Sequence, residues 1–221
     1  MSILIAKGIS KAYDKLKVIN DISLNIEKGE IVSIIGASGA GKSTLLQILG
    51  TLDNADSGRV EINGQAVSGL IGKSLANFRN KHLGFVFQFH NLLPEFTAAE
   101  NVMMPLLIAG TTLKVASKKA EEMLQLLGLA ERVHHKPSEL SGGEQQRVAV
   151  ARALINNPMI VFADEPSGNL DSKNSQDLHK LFFKIRDELN QTFLIVTHNP
   201  DLANMSDRIL EIKDGNIVKV K

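Results

Sequence analysis

The chain has 221 residues, of which 43% are hydrophobic and 22% charged, enough for one sizeable core. Its net charge is +1, which gives no electrostatic reason to expect binding to nucleic acid or to an anionic membrane surface. It contains no cysteine, which excludes disulfides and thiolate metal sites and fits a reducing compartment.

The sequence also argues against direct membrane insertion. No apolar run reaches the roughly 20 residues that a membrane-spanning helix needs, since the best candidate, Val102 to Ala109, is short and contains Pro105. The N-terminus lacks the basic segment and long apolar stretch of a signal peptide. We therefore expect that a partner would supply the membrane part of any membrane process.

The N-terminal residues predict strands. Short apolar or alternating runs at Leu4–Ala6 and Ile22–Ile26 are typical of strands, and Lys28–Glu30 is typical of a turn. The continuous apolar run Ile31–Ile35 predicts a buried strand of the parallel type, and Leu45–Leu49 predicts a helix.

A glycine-rich loop lies between that strand and that helix and matches the phosphate-binding pattern G-x-x-x-x-G-K-S. Glycines let backbone N–H groups approach an anion closely, and the helix N-terminus adds its dipole. Lys42 supplies a positive charge for the β- and γ-phosphates, and Ser43 offers a hydroxyl to Mg²⁺. The alternative is a flexible Gly/Ser turn. The predicted nucleotide-binding residues here are Gly36, Ala37, Ser38, Gly39, Ala40, Gly41, Lys42, Ser43 and Thr44.

The following stretch alternates between hairpin and buried-strand patterns. Asp53–Gly58 predicts a polar turn, and Arg59–Ile62 predicts a strand that the turn pair Asn63-Gly64 closes. Gly84–Phe87 predicts the next buried strand.

From about Leu92 to Asn157 the pattern becomes helical. Apolar residues recur at helical spacing in Thr112–Leu127, which predicts an amphipathic helix. A second, largely apolar helix follows Gly143 and runs to about Ile155. The sequence therefore predicts a helical insertion in an α/β domain.

The C-terminal part returns to strands. Met159–Ala163 and Phe193–Val196 predict central parallel strands, and Ser172–Leu189 predicts the helix between them. Residues 208–220 predict a closing hairpin.

Two further stretches carry chemistry. Asp164 and Glu165 follow an apolar run, where an acid beside a phosphate loop can hold Mg²⁺ and its neighbour can polarise a water; two acids capping a strand are the alternative. Ser141-Gly142-Gly143 opens a helix and forms a second candidate anion cradle, or alternatively an ordinary N-cap. One nucleotide needs one cradle, so the second cradle suggests a nucleotide on another copy of the chain.

Over essentially its whole length the sequence resembles ABC-type ATPase subunits. The resemblance rests on seven features in the family's order: Tyr13 at the adenine-stacking aromatic, Gly36–Thr44 at the Walker A motif, Gln88 at the Q-loop, Leu140–Gln146 at the signature motif, Ile160–Asp164 at Walker B with Glu165 as general base, Ser167–Asp171 at the D-loop and His198 at the switch histidine. Ala37 and Ser167 depart from the commoner Pro and Thr without removing a catalytic atom.

The resemblance implies a fold and domain division. We expect an α/β P-loop NTPase core with a mostly parallel sheet, an N-terminal antiparallel β subdomain and an inserted helical subdomain. The resemblance implies that the whole chain, 1–221, forms one ABC ATPase domain, with 1–91 and 158–221 as the nucleotide-binding core and about 92–157 as the helical subdomain.

The resemblance also implies site roles. ATP and Mg²⁺ are the expected ligands, and catalysis is expected of Lys42, Gln88, Glu165 and His198. Mg²⁺ ligands are expected at Ser43, Gln88 and Asp164. The resemblance further implies that a second copy of the chain, arranged head to tail, contributes its Ser141, Gly142, Gly143 and Asp171 to each ATP. The remaining histidines are expected to be surface or packing residues: His82, His90, His134, His135 and His179.

Two segments point to a branch of the family. Gln88–Val102 and Met104–Gly110 closely resemble the lipoprotein-release ATPases. This implies transmembrane permease subunits as partners and a peripheral position on the cytoplasmic face of the inner membrane. The alternatives are macrolide-type exporters, a cell-division complex, a soluble ABC ATPase acting on ribosomes or DNA, and a nucleotide-gated scaffold that does not hydrolyse ATP.

Overall fold

Two β-sheets and a set of helices form the computed structural model, which describes residues 1–221. The strands are β1 (Ser2–Tyr13), β2 (Leu16–Glu27), β3 (Ile31–Ile35), β4 (Ser57–Ile62), β5 (Gln65–Ala66), β6 (Leu83–Phe87), β7 (Ile160–Asp164), β8 (Phe193–Val196), β9 (Arg208–Lys213) and β10 (Asn216–Val220). The helices are α1 (Lys42–Leu49), α2 (Gly72–His82), α3 (Ala98–Ile108), α4 (Leu113–Leu126), α5 (Gly142–Leu154), α6 (Ser172–Leu189) and α7 (Pro200–Met205).

The larger sheet sets the position of the functional edge. Its six strands run in the order β10-β9-β3-β8-β7-β6, and all neighbours are parallel except the β9–β10 hairpin. The carboxyl ends of β3, β6, β7 and β8 therefore lie at one edge. Open parallel sheets bind ligands at this edge, where loops leave the strands.

Both faces of the larger sheet are covered, which explains its continuous apolar strands. Alternate residues point to opposite faces: in β8, Phe193 and Ile195 join one hydrophobic cluster while Leu194 and Val196 join the other. The first cluster packs against α3, α4, α5 and α6. The second packs against α1 and the antiparallel sheet, which has the order β2-β1-β4-β5.

Most predicted elements are confirmed, and two helices were missed. The α/β class, the parallel strands, the helical insertion and the closing hairpin are all present. The N-terminal strands are longer than predicted, because β1 and β2 pair through several register shifts that break the apolar alternation. Helix α2 has one buried residue, Phe78, and α7 spans six residues, so neither has an apolar period long enough to recognise.

None of the helices combines the length and the apolar character that crossing a bilayer requires. The longest, α6, has 18 residues and buries only one face against the sheet. This is the amphipathic pattern of a helix that covers a core.

A buried asparagine fixes the segment between β6 and α3. The Asn101 side chain is fully buried, and its Oδ1 accepts a hydrogen bond from the Leu93 N–H at 2.8 Å. Its Nδ2 donates to the carbonyl oxygens of Leu93, Phe96 and Thr97 at 3.0–3.1 Å. The Leu93 and Thr97 carbonyls also accept backbone N–H groups, whereas the Leu93 N–H and the Phe96 carbonyl have the Asn101 amide as their partner.

We predict that Asn101→Ala lowers the free energy of unfolding by about 3 kcal/mol, since it leaves the Leu93 N–H and the Phe96 carbonyl without a partner and creates a void. Urea denaturation followed by circular dichroism measures the change. Asn204→Ala is the matched control, because Asn204 is exposed on α7. Equal stability of the two variants would contradict the assigned role of Asn101.

Candidate nucleotide site

The glycine-rich loop follows β3 directly and requires glycine at two positions. Gly36 has φ 149°, and a Cβ there would lie 2.2 Å from the Ile212 carbonyl oxygen. Gly41 has φ 99°, and its Cβ would lie 2.7 Å from the Val18 carbonyl oxygen. Any side chain at either position would push the loop off the sheet, so these glycines fix its path.

Lys42 spans this loop from the first turn of α1. Its Nζ donates to the carbonyl oxygens of Gly36 and Ala37, each at 2.9 Å. An ammonium has three donors, so these bonds leave one for another acceptor. The charge is thus held inside the loop, where an anion would meet it together with the N-terminus of α1.

Ser43 and Asp164 meet where β7 ends beside α1. The Ser43 hydroxyl donates to Asp164 Oδ1 at 3.0 Å. Burial raises the pKa of the Asp164 carboxyl, and the hydrogen bond from Ser43 opposes that rise. A carboxylate and a hydroxyl in contact are the hard oxygen donors that Mg²⁺ prefers. The donor set therefore fits a magnesium ion bound with a phosphate.

Glu165 and His198 form the second polar pair at this edge. His198 Nδ1 lies 2.7 Å from Glu165 Oε2, and the His198 backbone N–H donates to the same oxygen at 3.2 Å. The Glu165 N–H is bound to the Val196 carbonyl, and its φ is 47°, in the left-handed region. Such a conformation costs about 1 kcal/mol or more and is frequent at functional sites. The carboxylate is therefore fixed by both backbone and side-chain contacts.

Gln88 leaves β6 and binds the segment that follows Glu165. Its Nε2 donates to Asn169 Oδ1 at 2.9 Å, and Asn169 Nδ2 donates back to the Gln88 carbonyl at 3.2 Å. A Cβ on Gly168 would lie 2.9 Å from Gln88 Nε2. The absence of a side chain at 168 therefore makes room for the glutamine, whose Oε1 remains available to a ligand.

His179 anchors the loop that follows Glu165 through a hydrogen bond to Ser167. Its Nε2 lies 3.0 Å from the hydroxyl of Ser167 and 3.3 Å from that of Ser175, and all three side chains are buried. Burial lowers the pKa of His179, so the ring is neutral near pH 7. Of the two roles expected for this histidine, surface or packing, the structure shows packing.

The residues predicted on this edge surround one open cavity of about 610 Å³. Its lining consists of Tyr13, Val18, Gly36, Ser38, Gly39, Gly41, Lys42, Ser43, Thr44, Gln88, Glu165 and His198. Asp164 lies beside it in contact with Ser43, whereas Ala37 and Ala40 do not line it. The cavity is large enough for a ligand of nucleotide size.

Ser141, Gly142, Gly143 and Asp171 do not line that cavity. Ser141 caps α5: its Oγ accepts from the Glu144 N–H at 3.3 Å, and Glu144 Oε2 accepts from the Ser141 N–H at 2.8 Å. This backbone bond and the ion pair with Arg132, at 2.8 Å, lower the pKa of Glu144 to about 2. The residues Ser141 and Gly142 are nevertheless exposed and free to meet another molecule.

Gly143 and Asp171 join α5 to α6. A Cβ on Gly143 would lie 2.5 Å from Asn174 Oδ1, so glycine permits the close approach of the two helices. Asp171 caps α6 by accepting from the Asn174 N–H at 2.9 Å and from its side-chain amide at 2.7 Å. These contacts stabilise the junction of α5 and α6 within one chain, and they do not prevent contact with a second chain.

Three contributors to the site were not singled out by their chemistry in the sequence. Val18 lines the cavity from β2, Asn169 holds Gln88, and Asp53 binds the Tyr13 hydroxyl at 2.6 Å. Asn169 lies in the stretch that resembles the D-loop, which is a usable signal. The positions of Val18 and Asp53 depend on contacts distant in sequence.

Comparisons with known proteins extend over nearly the whole chain. The family model for the ABC transporter matches residues 19–168. The chain is 60% identical over 213 residues to the lipoprotein-releasing system ATP-binding protein LolD of Bacteroides thetaiotaomicron, covering 96% of this chain and 98% of that protein. It is 57% identical over 216 residues to the LolD protein of Cytophaga hutchinsonii, covering 98% and 99%.

A solved structure of an ATP-binding cassette has the same fold. The dimeric, post-hydrolysis ATP-binding cassette MJ0796, bound to ADP and Pi, superposes with a TM-score of 0.90 at 39% identity. The match covers 99% of this chain and 97% of that one. The similarity therefore includes the N-terminal sheet and the helical insertion as well as the nucleotide edge.

We predict that Gly168→Ala lowers ATPase activity by about tenfold, because the new methyl group displaces Gln88 from its place against Asn169. The backbone at 168 does not require glycine, so stability should change by less than about 1 kcal/mol. The measurements are steady-state phosphate release and thermal unfolding. Gly69→Ala is the control, since a Cβ there meets no atom within 4 Å. Equal activity of the two variants would refute the steric argument.

Proposed function

The chain belongs to the ABC transporter family of ATP-binding proteins, and we propose that it hydrolyses ATP to power a separate membrane permease that releases lipoproteins from the inner membrane. The observation that carries the enzymatic part is the convergence of the Lys42 loop, Asp164 and the Glu165–His198 pair at one sheet edge. The lipoprotein assignment draws on relatives that carry this name at 57–60% identity.

ATP binds with its phosphates on the loop Gly36–Thr44 and its base against Tyr13. Lys42 exchanges loop carbonyls for phosphate oxygens, which the N-terminus of α1 also attracts. Ser43, Gln88 and Asp164 are the residues that would hold Mg²⁺, whose positive charge would offset the negative charge of the phosphates. The raised pKa of Asp164 fits this role, because a buried carboxylate gains most from a nearby cation.

Hydrolysis needs a water placed against the γ-phosphate. Glu165 accepts a proton from that water while the oxygen of the water bonds to the γ-phosphorus. The bond between the γ-phosphorus and the bridging oxygen breaks, and ADP and phosphate leave. His198 orients the Glu165 carboxylate through the 2.7 Å contact and faces the same cavity.

A second copy of the chain completes each site. Each ATP would lie between the phosphate loop of one chain and Ser141, Gly142, Gly143 and Asp171 of the other. Support comes from the position of these residues outside their own chain's cavity and from the exposed cap of α5. A two-fold axis that brings one loop to the other chain's cap makes two equivalent sites.

The permease is proposed to contact the helical subdomain, about residues 92–157, and the Gln88 segment on the cytoplasmic face of the inner membrane. The core, 1–91 and 158–221, would hold the nucleotide. Closure of the dimer on ATP and its opening after hydrolysis would then be transmitted to the permease. Co-purification from native membranes tests the partner, which should be a permease-type membrane protein.

We predict that Glu165→Gln lowers turnover at least about a hundredfold while ATP binding persists, because the amide cannot accept the proton. ATP should then trap a closed dimer that elutes earlier in gel filtration. Glu121→Gln, on the exposed surface of α4, is the control and should behave like the unmodified chain. Unchanged turnover in Glu165→Gln would overturn the general-base assignment.

Mixed dimers test the shared sites. In a Glu165→Gln background, Lys42→Ala and Ser141→Arg are placed either on the same chain or on opposite chains. Head-to-tail sharing predicts about one trapped ATP per dimer when they lie on opposite chains, because both changes then fall in one site. It predicts almost none when they lie on the same chain. The reverse pattern, measured by counting bound ATP, would show that each site belongs to one chain.

A further inference from the structure

Tyr13 is held at its tip by a carboxylate. The residue ends β1 and is 47% exposed, yet its hydroxyl donates to Asp53 Oδ2 at 2.6 Å. A half-exposed ring without such a contact would sample several orientations, and fixing them on binding would weaken affinity.

The Lys11 ammonium lies over the same ring and restrains it. Its Nζ lies 5.2 Å from the centre of the Tyr13 ring, within the range of a cation–π contact. The ammonium is itself fixed, because it donates to the Asn54 carbonyl at 2.6 Å and to Asp53 Oδ1 at 3.2 Å. Tyr13 lines the nucleotide cavity, whereas Lys11 does not.

Asp53 is tied to the helix that begins at the phosphate loop. It lies four residues beyond the end of α1, and its backbone N–H donates to the carbonyl of Gln47 at 3.2 Å. The Leu52 N–H donates to the same carbonyl at 2.7 Å. A short, hydrogen-bonded path therefore runs from Lys42 along α1 to Asp53 and on to the Tyr13 hydroxyl.

The protonation states favour this contact at neutral pH. The hydrogen bond from Tyr13 lowers the pKa of Asp53, and the same bond raises the pKa of Tyr13. The carboxylate is thus ionised and the phenol protonated, which is the pairing that a charge-assisted hydrogen bond needs.

We propose that Asp53, supported by Lys11, is a positioning residue that sets the Tyr13 ring at a fixed place relative to the phosphate loop, so that the ring receives the base of ATP. Neither residue lines the nucleotide cavity. The proposal rests on the proposed function, since it takes the base to lie against Tyr13. Its consequence is that Asp53 affects the affinity for the base and not the affinity for the phosphates.

The test compares two probes on the purified full chain by isothermal titration calorimetry: ATP, and inorganic tripolyphosphate, which has no base. Asp53→Ala should weaken ATP binding about fivefold, the cost of ordering a free aromatic side chain, and leave tripolyphosphate binding unchanged. In turnover assays the same variant should raise KM and keep kcat. Asp177→Ala, an exposed acid on α6, is the matched control and should change neither probe.

Two companion variants separate positioning from a general structural effect. Asp53→Asn keeps an acceptor for the Tyr13 hydroxyl and should restore most of the ATP affinity. Tyr13→Phe should weaken ATP binding by the same factor as Asp53→Ala, and the double variant should lose no more than either single one, because both remove one interaction.

The outcomes are distinguishable. Equal losses for ATP and tripolyphosphate in Asp53→Ala would overturn the inference, as would unchanged ATP affinity or additive losses in the double variant. If the unmodified chain bound neither ATP nor tripolyphosphate, the proposed function would be overturned instead.

Discussion

The common edge of four parallel strands is the constraint on which the rest of the structure depends. In the register of the sheet, Phe87 pairs with Asp164, and Asp164 with Val196. The strands β6, β7 and β8 therefore end side by side, and the residues that follow them lie around the same cavity. A slip of one residue would turn each strand's side chains to the opposite face, removing both the apolar cover and the polar edge. Burial of two apolar faces therefore fixes the position of the polar chemistry.

A continuous set of contacts joins this edge to the exposed cap of α5. Gln88 and Asn169 exchange hydrogen bonds. Two residues further along, the Asp171 carboxylate accepts two hydrogen bonds from Asn174, whose side chain lies beside Gly143. His179 holds the intervening loop from within the core. A movement of Gln88 is thus resisted by the same loop that carries Asp171, and both cradles belong to one mechanical unit.

The sequence predicted those features that depend on residues close together along the chain. A glycine-rich loop between an apolar strand and a helix is recognisable because glycine conformation and phosphate binding require the same few positions, such as Gly36 and Gly41. Asp164 was recognisable as the end of a buried strand. In contrast, the Asp53–Tyr13 bond joins residues 40 positions apart, and the Gln88–Asn169 pair joins residues 81 apart. No periodicity encodes such contacts, because they arise when the two sheets and α1 pack together.

Local rules are broken where the proposed chemistry occurs, and the rest of the chain compensates. Glu165 adopts a left-handed backbone conformation, and the Asp164 carboxylate is largely buried. Lys42 donates two hydrogen bonds to carbonyls of its own loop. The left-handed Glu165 backbone and the buried Asp164 carboxylate oppose folding, and a dense apolar core on both faces of the sheet offsets them. A triphosphate would offer Lys42 charged acceptors in place of the loop carbonyls, and the cation that it brings would stabilise the Asp164 carboxylate. Binding energy is then available to change the conformation of the loops around the nucleotide, which is the property that a transport motor needs from its ATP site.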